Sequence, residues 1–87
     1  MDDDINETVK VWAFFDDTPK RGSFINPIAM QWNRRFIKFE KLVFVSTRRA
    51  GQVRFVNLTC SSEGATFELE YNTDSGCWKV KKMMSRE

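Results

Sequence analysis

The chain has no histidine, two cysteines, two prolines, four glycines and one tyrosine in 87 residues. Lack of histidine removes the side chain that most often serves as a general base near neutral pH and as a zinc ligand. Cys60 and Cys77 fit no metal-ligand spacing and no disulfide framework, so reduced thiols are expected, with no metal and no cofactor. No apolar run approaches the roughly 20 residues that cross a bilayer, and no membrane association is expected. Met1-Asp2-Asp3-Asp4 is the opposite of a basic secretory start, which makes the cytoplasm the expected location. The sequon matches at Asn6 and Asn57 therefore carry little weight. No nucleophile elbow, P-loop or dinucleotide glycine pattern occurs. Asp16-Asp17 is the only tight acid pair outside the first residues, and neighbours on a strand point to opposite faces. No catalytic residue is expected, and the chain does not read as an enzyme.

What is present is aromatic and β-prone. Eight Phe and three Trp give so short a chain the means to build a core, each burying roughly 150–250 Å². Val9 to Phe15 is β-branched and aromatic and reads as a strand, with a helical reading through Ile5, Val9 and Trp12 the weaker one. Residues 16–23 form a polar loop, and Ile28, Met30 and Trp32 then alternate onto one face. Asn33-Arg34 turns the chain. Residues 35–47 are long and apolar, with Ile37 and Phe39 in one parity and Leu42 and Phe44 in the other. A β-bulge near Glu40-Lys41 explains such a slip, and a bulged long strand curves a sheet towards a barrel. Arg48-Arg49-Ala50-Gly51 and Ser61-Ser62-Glu63-Gly64 read as turns. Phe67, Leu69 and Tyr71 then alternate with polar residues, as do Trp78 and Val80 beyond a loop at 72–76. The expected fold is all-β, mainly antiparallel: a small bent barrel of about five to six strands, SH3-like or similar. It would span residues 9–83, with a flexible acidic tail at 1–8 and a short tail at 84–87.

The order Pro27, Trp32, Arg35, then Phe67-Glu68-Leu69-x-Tyr71 and Trp78-Lys79-Val80 resembles a group of small bacterial β-rich domains of unknown function. The resemblance covers about residues 9–82 and rests mostly on core and turn positions. Asn33-Arg34 stands where that pattern has Arg-Gly, and Ile37 fills its aromatic position. The resemblance implies a bacterial β-domain and no particular activity.

The net charge of +2 conceals a division. Residues 1–17 hold six acids and one base, a net −5, and residues 18–87 hold thirteen bases and six acids, a net +7. If the last hairpin pairs like faces, Tyr71 meets Trp78, Glu70 meets Lys79, Leu69 meets Val80 and Glu68 meets Lys81. Lys79 and Lys81 then serve cross-strand pairs. The remaining cations define a candidate binding surface of Arg34, Arg35, Lys38, Arg48, Arg49 and Arg54 around Phe36, with Lys41, Lys20 and Arg21 nearby. Phe36 has the parity opposite to Ile37, so it either faces outward or packs beneath the N-terminal segment against Trp12 or Phe14. Two functions follow. The first is a non-catalytic protein-interaction or accessory module that takes a partner or a second copy through an apolar patch or a sheet edge. The alternative is a small barrel that binds single-stranded nucleic acid through aromatics set among cations.

Overall fold

The computed structural model describes residues 2–16 and 25–85, all strand and turn. It comprises β1 (Asp2–Phe15), β2 (Ile25–Trp32), β3 (Arg35–Lys38), β4 (Lys41–Ala50), β5 (Val53–Ser62), β6 (Ala65–Asn72) and β7 (Trp78–Ser85). The all-β antiparallel expectation holds, with seven strands rather than five or six. They form one curled, half-barrel sheet in the order β3-β2-β1-β7-β6-β5-β4. Its two edge strands, β3 and β4, are consecutive in the chain and joined by Phe39 and Glu40. The Phe39 N–H donates to the Ile28 carbonyl at 2.8 Å and the Glu40 N–H to the Ser61 carbonyl at 2.8 Å. One bend thus hands the chain from the β2 side of the sheet to the β5 side.

The acidic segment 2–8 is not a tail. It is the first half of β1 and pairs with β7 through Glu7↔Val80, Thr8↔Lys79 and Val9↔Trp78. The second half of the same strand pairs with β2. Ile5, Val9 and Val11 pack against the core, and the ladder supplies partners for backbone groups that β7 would otherwise leave open at an edge. Likewise β7 runs through Ser85, past the expected domain end at 83. Most of the expected 16–23 loop, with Lys20 and Arg21, lies outside the described residues.

The turns explain the short connections. Asn33 and Arg34 have φ of 54° and 62°, the double left-handed geometry of a type I′ hairpin turn, closed by Trp32↔Arg35. Gly51 (φ 65°) and Gly64 (φ 81°) each sit in a two-residue link whose backbone an L side chain rarely adopts. The first of these links is only Gly51-Gln52, so Arg48 and Arg49, expected in a turn, lie within β4.

At the centre of the core Leu58, Leu69 and Val80 stand opposite one another on three adjacent strands, each with 0% exposure. Cys60, Phe67 and Trp78 flank this row on the same three strands, and Met30, Ile37 and Phe39 join the cluster from the β2–β3 side. The β6–β7 register is as expected for Tyr71↔Trp78, Glu70↔Lys79 and Leu69↔Val80. The fourth pair differs: Glu68 meets Lys82, because Lys81 is the extra residue of a bulge and turns its Nζ to Asn6 Oδ1 at 2.9 Å. The parity slip before β4 is also real but is placed differently. Besides the bend at 39–40, Val43 is an extra residue between Leu42↔Cys60 and Phe44↔Thr59. Phe44 is therefore turned outward and 61% exposed, while Leu42 and Val45 pack on the core. No helix among the described residues is long and apolar enough to cross a membrane.

Candidate functional site

The seven candidate residues fall into two groups at opposite ends of the 35–50 path. Arg34, Arg35, Phe36 and Lys38 lie at the β2–β3 hairpin, and Arg48, Arg49 and Arg54 lie towards the β4–β5 hairpin. Arg48 is engaged structurally: its Nη2 donates to Glu70 Oε2 at 2.7 Å, and its guanidinium lies 4.3 Å from the Phe55 ring centre. Arg49 and Arg54 face each other across the hairpin, both exposed. Arg35 pairs with Trp32 and has the strand parity opposite to Phe36, so it does not share the Phe36 face. Arg34, Phe36 and Lys38 are what remains together.

Two residues join them. Strand register sets Lys10 opposite Gln31 and Gln31 opposite Phe36 in one row across β1, β2 and β3. The next row on the same face is Trp12, Ala29 and Lys38. Trp12 and Phe36 occupy one diagonal of this four-cornered patch, and Lys10 and Lys38 occupy the other. Between them Ala29 carries only a methyl group, so the two rings meet edge to face over it at 5.4 Å and 62°. Ala29 is buried at 1%, yet Trp12 and Phe36 keep 45% and 64% of their surface. The sequence reading offered Trp12 as a cover for Phe36; the contact forms and leaves both rings open. Lys10, Arg34 and Lys38 are exposed and take part in no ion pair among the described residues.

A second feature lies between β2 and β4, which diverge from the bend at Phe39. The cleft has a volume of about 1140 Å³. Its walls are mixed: the rings of Phe14, Phe15, Phe39 and Phe44 stand with polar Asp16, Asn26, Glu40, Lys41, Ser46 and Thr47. Phe14, Phe15, Val43 and Phe44 are all more than half exposed. β4 is the end strand of the sheet, so its outer edge has no strand neighbour among the described residues.

No group of three or more His, Cys, Asp or Glu able to hold a metal occurs among the described residues. Cys60 is buried at 0% exposure, and burial pushes its thiol up to about 12, whereas Cys77 is exposed in the loop before β7. The native protein is therefore expected to label rapidly at one thiol, Cys77, and at Cys60 only on unfolding, as Ellman titration with and without denaturant will show. Because the folded thiol ionises above its ordinary value of 9.0, only the unfolded chain gains from ionisation as pH passes 9. Stability should then fall by about 1.4 kcal/mol per pH unit towards 12.

Set against protein-family models, curated proteins and solved structures, this chain has no match in any of the three.

Proposed function

We propose that this protein is a non-catalytic, cytoplasmic interaction module that takes an extended segment of a protein partner by strand addition along the outer edge of β4. The observation that carries this reading is the outer edge of β4, which has no strand neighbour among the described residues and lies beside the cleft. An added strand gains main-chain hydrogen bonds from the edge and pockets for alternate side chains from the cleft. Long exposed apolar edges promote aggregation, and natural sheets usually blunt them with charge, proline or a covering element. Here the edge carries Lys41, Arg48, Arg49 and the Val43 bulge, yet Val43 and Phe44 between those charges stay more than half exposed.

A second copy of the chain fits the edge poorly. Antiparallel pairing of β4 with itself about Val45 sets Lys41 opposite Arg49, a like-charge contact. A partner strand with an apolar centre and acidic flanks meets the same cations with opposite charge. The test is an NMR titration with two synthetic strands of about ten residues, alternating Val and Thr, one flanked by Glu and the other by Lys. Shifts of the 43–47 amides with the Glu-flanked peptide, and their loss in the doubly substituted Val43→Lys, Phe44→Lys protein, are expected. Both substituted positions are exposed, so folding is retained. No shift along β4 at millimolar peptide overturns the proposal.

A further inference from the structure

We infer that the outer face of β1, β2 and β3 is a platform for single-stranded nucleic acid, separate from the β4 edge. The checkerboard of Trp12 and Phe36 on one diagonal and Lys10 and Lys38 on the other places open π-surface between two exposed cations. Arg34 adds a third cation at the turn two residues before Phe36. Strand spacing sets the patch at about 10 Å across and about 7 Å along, the scale of one or two nucleotides. Bases stack on aromatics with little regard to sequence, while the phosphates meet the flanking cations.

Charge separates this reading from a protein-docking one. The acids nearest along these strands lie off the patch. Glu7 has the opposite parity and accepts the Trp32 indole N–H at 2.9 Å, and Asp16 and Glu40 line the cleft. The face is therefore cationic and aromatic, with no described acid to complement a basic partner. The long loop cations are not needed for the argument, nor is Arg48, which Glu70 holds.

The test is titration of the full chain with oligo-dT and oligo-U at low salt, read by tryptophan quenching and by anisotropy of a labelled strand. Trp12 is the exposed indole, and Trp78 at 7% is shielded, so stacking is expected to quench the exposed fraction of the emission. Three phosphate contacts predict a roughly 20-fold weakening for about a fourfold rise in salt. Trp12→Ala with Phe36→Ala should weaken binding at least about tenfold. Should that pair disturb the fold, Lys10→Gln with Lys38→Gln keeps both rings and should abolish most of the salt dependence. Arg49→Gln with Arg54→Gln, at the far hairpin, should leave binding unchanged. Absence of binding at about 100 µM protein, indifference to salt, or equal loss in the far-hairpin variant overturns the inference, and each leaves the β4-edge reading standing.

Discussion

Leu69→Ala should lower the unfolding free energy by about 3–5 kcal/mol. Leu69 lies on β6 between Leu58 of β5 and Val80 of β7, and all three are fully buried. Truncation loses the transfer energy of the removed carbons and leaves a cavity that two hydrogen-bonded neighbouring strands cannot collapse to fill. A domain of this size has roughly 4–13 kcal/mol of stability in total, so the loss takes from about a quarter of it to all of it. Urea denaturation followed by circular dichroism measures it. The midpoint should fall sharply while the slope, which reports the surface exposed, stays near that of the parent. Phe44→Ala is the matched control: its ring is mostly solvated and its loss should cost no more than about 0.5 kcal/mol. Comparable costs at the two positions would refute the placement of the core centre.

Among single substitutions Arg48→Ala has the next largest expected effect on stability, about 1–3 kcal/mol. Glu70 is only 6% exposed, and its carboxylate accepts the Arg48 guanidinium at 2.7 Å. Removing one partner of a buried pair costs about 3–5 kcal/mol, and an exposed pair contributes about 0.2–1 kcal/mol. The Arg48 side chain is 49% exposed, which places this pair between those limits. Lys79, opposite Glu70 on β7, softens the loss, and the Phe55 ring loses the cation above it. A double-mutant cycle with Glu70→Gln isolates the coupling. The two changes together should cost less than the sum of each alone, because the neutral amide no longer needs a cation. Strict additivity would mean that the contact contributes nothing.

Where side chains alternate and a hairpin is local, the fold could be read directly. Phe67, Leu69 and Tyr71 against Trp78 and Val80 fix both strands and their pairing without reference to anything distant. The reading failed at Lys81, since Lys79, Lys81 and Lys82 are all solvent-compatible and no apolar residue among them marks which one is extra. It failed at Val43-Phe44 for the opposite reason: every residue from Leu42 to Val45 is apolar, so parity carried no information about facing. The acidic start hid a strand because the ladder that orders it comes from β7, at the other end of the chain. The candidate site was half legible for the same cause. Phe36 and Lys38 are two apart on one strand and visibly share a face. Trp12 and Lys10 belong with them only because β1 lies beyond β2 and parallel to β3, a neighbourhood that no local pattern encodes.

The division of β1 between two partners shapes how the domain forms. Every ladder except one joins strands that are neighbours in the chain: β1-β2-β3 is one meander and β4-β5-β6-β7 another. Each can zip up by short hairpin steps. The ladder that unites them is β1 with β7, whose closure gathers nearly the whole chain into one loop and so carries a large entropic cost before any contact rewards it. During synthesis the β1-β2-β3 meander can be in place while the seam waits for β7 to leave the ribosome. Until then β1 has half its length unpaired, and the acidic residues at its start keep that waiting edge charged and poorly suited to pairing with a stranger.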